Sequence, residues 1–228
     1  MVFRRRRQRG SDASGLEAPS AEVEPELIEQ PEKTPRPDGP FDSAEMDLAS
    51  ADAGRVDLGG MQVRPAEGMR VQLQVDERSG TGTGVMIVDA DAAVAMIAVA
   101  APRSSGLWEQ TRSQIAADAV GRGGSVEEAP GPFGTEIRVV VPVTSQEGKK
   151  AVQASRVVGI DGPRWMLRAT FLGTAITDAK TFARLVSVMR QTVIVRGDRP
   201  MAPGDVIALR APERTHNEPP PTTGTLAE

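Results

Sequence analysis

The sequence predicts an α+β fold, a mainly antiparallel sheet of about six strands covered by two helices, with disordered chain ends. Three observations carry this. Apolar residues recur at every second position in segment after segment between residues 69 and 171. Only two segments, near residues 107–120 and 179–192, carry apolar residues at helical spacing. The order is three strands, helix, three strands, helix, without the strand–helix alternation that a parallel doubly wound sheet requires.

Met69, Val71, Leu73 and Val75 alternate with Arg70, Gln72, Gln74 and Asp76, a half-buried strand with a wet outer face. Ser79-Gly80-Thr81-Gly82-Thr83-Gly84 reads as a turn into a second strand, Val85–Val88. Asp89-Ala90-Asp91 turns into a third, Ala93–Ala100, which Pro102 ends. Ser104 or Ser105 is placed to cap a helix from Leu107 to Val120, closed by Gly121 and Gly123-Gly124. In this helix Trp108, Ile115 and Ala119 share one face, with Ala116 and Val120 beside it.

The next strands are Thr135–Val141, Val152–Ile160 and Arg164–Phe171. In the last, Trp165, Leu167, Ala169 and Phe171 alternate with Arg164, Met166, Arg168 and Thr170, the sharpest alternation in the chain. Asp161-Gly162-Pro163 supplies the hairpin turn before it. Thr177 or Asp178 caps a second helix to about Thr192, with Phe182, Leu185, Val186, Met189 and Val193 in one stripe.

The charge is partitioned along the chain. Residues 1–10 hold five arginines and no acid, whereas residues 11–60 hold thirteen Asp/Glu against Lys33, Arg36 and Arg55. Residues 61–213 hold eighteen Lys/Arg against sixteen Asp/Glu, so the net charge of −4 belongs to the ends. Ordering a residue costs roughly 1–2 kcal/mol of backbone entropy, and the few large apolar side chains before residue 39 cannot offset that. The expected organisation is a disordered tail over 1–38, a partly ordered strap over 39–60, the α+β domain over 61–213 and a second disordered tail over 214–228. A block of about 150 residues buries roughly 68–70% of its unfolded surface, enough for one core.

There is no Cys, which excludes disulfides and thiolate chemistry. The start MVFRRRRQRG is not followed by the apolar run of an export signal, and Val85–Ala101, interrupted by Asp89 and Asp91, is too short to span a bilayer. A cytoplasmic location is therefore expected.

The search for chemistry returns few candidates. The single histidine, His216, lies in the tail, so zinc sites of the usual kind and Ser-His or Cys-His pairs are not expected. Gly80, Gly82 and Gly84 resemble a phosphate loop, but a strand rather than a helix N-terminus follows them, so a turn is expected. Asp89 and Asp91 have no third carboxylate near in sequence and read as turn residues. Arg138, Arg156, Arg164 and Arg168 would form a basic patch only if their strands share a face; a solvated face or ion pairing is expected instead. Trp108 and Trp165 read as core anchors. Arg4, Arg5, Arg6, Arg7 and Arg9 supply salt-sensitive contacts to nucleic acid or an anionic membrane if the acidic segment behind them does not compete.

Several blocks carry a resemblance. Ala101-Pro102-Arg103-Ser104-Ser105-Gly106-Leu107-Trp108, Gly131-Pro132-Phe133-Gly134-Thr135-Glu136, Gly159-Ile160-Asp161-Gly162-Pro163-Arg164-Trp165, Val195-Arg196-Gly197-Asp198-Arg199-Pro200-Met201-Ala202-Pro203 and Gly39-Pro40-Phe41-Asp42 resemble an uncharacterised family, the domain of unknown function 3710, over about residues 39–212. The resemblance implies an actinobacterial source and no established activity, so no functional residue carries over. The element order is also similar to the PsbP-like α/β/α sandwich. Arg103, Arg164 and Arg199 stand at element ends, where loops carry function; with Trp108 and Arg168 they are the candidate ligand or partner contacts.

No catalytic, cofactor or metal residue is assigned. The expected role is a non-enzymatic interaction or scaffold protein with a protein partner. The alternatives are a nucleic-acid or nucleotide-metabolism accessory factor, and a metal- or cofactor-dependent enzyme that uses neither Cys nor His.

Overall fold

Chain segments that alternate apolar and polar residues must pair laterally, and here they pair as a seven-stranded antiparallel sheet. The computed structural model describes residues 38–47, 54–103, 106–144 and 148–212. The elements are β1 (Phe41–Asp42), β2 (Val56–Asp57), β3 (Met61–Val63), β4 (Arg70–Val75), β5 (Gly82–Asp89), β6 (Ala92–Ala100), α1 (Leu107–Gly121), β7 (Ser125–Gly131), β8 (Gly134–Thr144), β9 (Lys150–Gly162), β10 (Trp165–Gly173), α2 (Ala179–Arg190) and β11 (Val193–Ile194). Short 3-10 turns occupy Ser43–Glu45 and Thr174–Ile176. The large sheet runs β4-β5-β6-β10-β9-β8-β7, and a small one runs β1-β11-β3-β2.

The α+β class with two helices and an antiparallel sheet is therefore observed, with one strand more in the large sheet than expected. The addition is β7, whose sequence SVEEAPG contains Pro130 and two glutamates. Proline and charge are disfavoured in a central strand but tolerated on an edge, where outward N–H groups need no partner. β7 is that edge.

Both sheet faces are covered in part. On one, Trp165, Leu167, Ala169 and Phe171 of β10 join Val85, Ile87, Val94, Met96, Leu185 and Met189 in the main core beneath α2 and the small sheet. On the other, Trp108 and Ala119 of α1 pack on Ile137, Val139, Val157 and Met166. Met166 thereby departs from the wet phase expected of it, because α1 crosses that face of β10 and leaves the side chain 3% exposed. The wet phase of Arg168 and Thr170 is half-buried.

Two local expectations change. Ser104 and Ser105 lie outside the described residues; the N-cap of α1 is Gly106, at φ 107°, with no side-chain cap of its own. The carboxylate of Asp161 on β9 takes that role, accepting from Gly106 N at 3.1 Å and Trp108 N at 3.1 Å. Gly82 and Gly84 sit inside β5 rather than in the turn, which ends at Thr81. A Cβ at Gly82 would lie 2.6 Å from Leu209 O, so glycine admits the backbone of Leu209, which exchanges hydrogen bonds with Gly82 at 3.1 and 2.8 Å. For α2, Asp178 is the cap, accepting from Thr181 N at 2.7 Å.

Phe41–Asp42 and Val56–Asp57 enter the small sheet. β1 pairs parallel with β11, β2 pairs antiparallel with β3, and Asp42 accepts from Trp165 Nε1 at 2.8 Å. No helix among the described residues is long and apolar enough to cross a membrane.

Candidate functional site

The sequence-derived candidates collect at one end of the large sheet. Ala101 N donates to Arg164 O at 2.9 Å, which brings the loops bearing Arg103 and Arg164 together. Gly204 N donates to Ala100 O at 2.8 Å, so the segment that follows Arg199 reaches the same end. Arg103, Arg164 and Arg199 are exposed there. Arg164 takes a left-handed turn conformation at φ 62°. Trp108 is turned inward, against Gly159, and its Nε1 donates to Thr135 O at 2.9 Å. Arg168 faces the α1 side of the sheet, opposite Gly159 in register.

The strands do not bring all four sheet arginines together. Arg138 and Arg156 are direct cross-strand partners on the α2 side, whereas Arg168 points to the α1 side. The expectation for these arginines is a solvated face or ion pairing, and both Arg138 and Arg156 pair with Glu136, which is fully buried. Arg156 Nε and Nη2 donate to its two oxygens at 3.0 and 2.9 Å, and Arg138 Nε stands 3.6 Å away. The Arg156 guanidinium lies 3.5 Å from the centre of the Phe182 ring, which meets Phe171 edge-on at 4.7 Å. Gly131 leaves the room: a Cβ there would stand 2.5 Å from Glu136 Oε2. Glu136 and the Arg156 guanidinium are thereby paired within the chain.

Asp89 and Asp91 diverge. Asp89 binds Arg184 at 2.9 Å, and Asp91 accepts from the Thr174 hydroxyl at 3.0 Å. Among the described residues no group of three or more His, Cys, Asp or Glu gathers around a point. His216 and the arginines at 4–7 and 9 lie outside the described residues.

Two features escaped the sequence. The first is a ribbon. β7 pairs with β8 only as far as Val140, and β10 pairs with β9 only from Arg156 onward. Beyond those points residues 141–144 and 150–155 continue as a two-stranded arm, both outer edges unpaired among the described residues. Val152 on it is 73% exposed, the most exposed large apolar side chain described, and Val140 at its base is also exposed. The second is a cavity of about 380 Å³ lined by Arg64, Pro65, Ala66, Ser187, Val188 and Gln191, between the end of β3 and the last turn of α2.

With the geometry in place, comparison with known proteins adds the family. Residues 39–218 match the model of the family described as "Protein of unknown function (DUF3710)". The chain belongs to the DUF3710 family. No curated protein matches this DUF3710 member. Among solved structures it is similar to the solution structure of cyanobacterial PsbP (CyanoP) from Synechocystis sp. PCC 6803, at 8% identity, over 61% of this chain and 91% of that one, with a TM-score of 0.36.

Proposed function

We propose that this DUF3710 protein is a non-enzymatic interaction protein that takes an extended, acid-flanked segment of a partner polypeptide along the outer edge of the β9 arm. The observation that supports it is the arm itself. A two-stranded ribbon is marginally stable in water, and open strand edges invite pairing, so natural proteins blunt them. On the β8 side Pro142 removes one N–H from the edge. The β9 side, Lys150-Ala151-Val152-Gln153-Ala154-Ser155, contains no proline and keeps its whole row of donors. Main-chain hydrogen bonds would give affinity and alternate side-chain contacts specificity, as in strand addition generally. Val152 supplies the apolar contact. Lys149 and Lys150 at the distal end set the charge, which favours carboxylates on the incoming strand.

The test places a photo-activated cross-linker at Gln153, with Gln114 on the exposed face of α1 as the control position. The partner captured from Gln153 alone is purified and titrated against the full chain. Val152→Asp, at a site too exposed to affect folding by more than about 0.5 kcal/mol, is expected to weaken that complex about tenfold or more. Equal cross-linking from both positions, or a captured partner that binds V152D as tightly as wild type, overturns the proposal.

A further inference from the structure

We propose that the half of the large sheet left open by α1 is a second docking surface, and that it takes an amphipathic, acid-flanked helix of a partner protein. This surface is a sheet face rather than the strand edge of the β9 arm, and neither site requires the other. The composition of β6 is the first sign. Its sequence, AAVAMIAVA, holds no polar residue. An antiparallel strand with one wet face alternates apolar and polar residues, whereas a continuous apolar run belongs to a strand covered on both faces. Ala92, Val94, Met96 and Ala98 lie in the main core beneath α2. The other phase, Ala93, Ala95, Ile97 and Val99, faces the layer of α1, and the core under α1 includes only Val99 of these.

The register shows what surrounds the open stretch. Ala95 stands between Met86 of β5 and Thr170 of β10, and Ala93 stands between Val88 and Leu172. Met86, Val88, Ala93, Ala95, Ile97 and Leu172 are half-buried and belong to neither core. Alanines on the middle strand, with larger side chains on both neighbours, make a trough along β6. β5 and β10 are two strand spacings apart, about 9.5 Å, close to the width of about 10 Å of a helix with its side chains. Gln72 and Gln74 of β4 share this face and give the apolar strip a polar rim, the arrangement that marks an interaction surface.

Backbone and charge select the occupant. Over Ala92–Met96 the backbone of β6 is paired with β5 on one side and β10 on the other, so an added strand finds no free partner there. A helix bonds its own backbone and needs only the trough. Arg70 on β4 and Arg168 on β10 stand on opposite sides of it, in the rows of Ala93 and Ile97. This phase of β4, β5, β6 and β10 carries no Asp or Glu, and neither guanidinium has a hydrogen bond or ion pair among the described residues. A second copy of the chain would bring the same cations to the interface, whereas carboxylates on the two flanks of a helix complement them. The two rows lie four residues apart on β6, about 13 Å, or about nine residues of helix.

Fluorescence-anisotropy titration of the full chain tests this with three synthetic peptides of about 16 residues, long enough for about four turns. One is a helix with a single leucine stripe and glutamates on both flanks. The second carries lysines on the flanks instead, and the third is the glutamate peptide broken by central prolines. The glutamate helix should bind saturably, and the other two about tenfold or more weakly. Ala95→Gln, which fills the floor of the trough and whose fold is checked by circular dichroism, should weaken the glutamate helix by a similar factor. Arg168→Glu should weaken the glutamate helix and tighten the lysine helix, a reversal that damage to the fold does not produce. Val152→Asp on the β9 arm should change nothing here. The surface is refuted if the glutamate helix does not saturate, if all three peptides bind alike, or if V152D weakens binding as much as A95Q does. A dimer of the full chain in sedimentation equilibrium that A95Q dissolves overturns the choice of occupant in favour of a second copy.

Discussion

At the two ends of α2 stand two arginine clusters built on opposite terms. Near its start, Arg156 stacks on Phe182 and gives two hydrogen bonds to Glu136, whose carboxylate is entirely enclosed. Near its end, Arg55 and Arg64 stand beside each other, and Arg55 donates to the carbonyl of Gln191. In the first cluster the protein provides the counter-charge; in the second the described residues provide none at Arg64. A buried charge is tolerated only when it is paired and hydrogen-bonded. The comparison therefore separates a charge cluster that holds the fold from one in which Arg64 has no ion pair among the described residues, and substitutions at the two clusters should behave differently.

The largest effect belongs to the first cluster. Glu136→Ala strands the Arg156 guanidinium, whose side chain is 14% exposed, without its counter-ion. Removing one partner of a buried pair costs about 3–5 kcal/mol. Urea denaturation should show the midpoint fall sharply with the slope unchanged. A loss near that of a surface substitution would break the contrast, since it would mean that Arg156 is satisfied by Phe182 and water alone.

The two clusters also differ in how far they could be read beforehand. The strict alternation of β10 and the stripe of α2 are local properties, and both elements lie close to where periodicity places them. Glu136 falls on the polar phase of β8, and polar phase ordinarily means solvent. Only the register of β8 against β9, with α2 above, shows it enclosed. Arg55 and Arg64 are separated in sequence by the β2–β3 hairpin, and Arg55 meets a helix carbonyl 136 residues away. Pair geometry of this kind is set by tertiary contact, which spacing along the chain does not encode. The arm was missed for a related reason: the expected strands Thr135–Val141 and Val152–Ile160 stop short of Thr144 and Lys150, and which half of a strand has a neighbour is not visible in the sequence.

An intermediate effect is expected at Asp161, the carboxylate that closes the start of α1 from β9. It satisfies two N–H groups that the first turn leaves without partners. Capping by a side chain is ordinarily local; here it also ties α1 to the sheet, beside Trp108. Asp161→Ala should lower stability by about 1–2 kcal/mol, and hydrogen exchange should quicken in the first turn of α1 before it does elsewhere. Uniform loss of protection across the sheet would show that Asp161 supports the whole core rather than the cap.

The smallest effect on stability should come from Arg64, and its sign is the informative part. Removing a cation usually removes some favourable contact, but Arg64 makes no hydrogen bond or ion pair among the described residues, while its charge disfavours the protonated form of Arg55. A base whose folded pKa lies below its unfolded value is destabilising throughout the range where both states are protonated, which includes neutral pH. The cost is relieved only as pH rises through the folded value. Removing the Arg64 charge removes part of that cost at neutral pH. Because Arg64 is exposed and Arg55 only partly buried, screening keeps the gain small. Arg64→Gln should therefore leave stability unchanged or raise it, by no more than about 0.5 kcal/mol, and added salt should stabilise the wild type more than the variant. A clear loss of stability in Arg64→Gln would mean that the guanidinium already has a partner within the chain, and the distinction between the two ends of α2 would fail there.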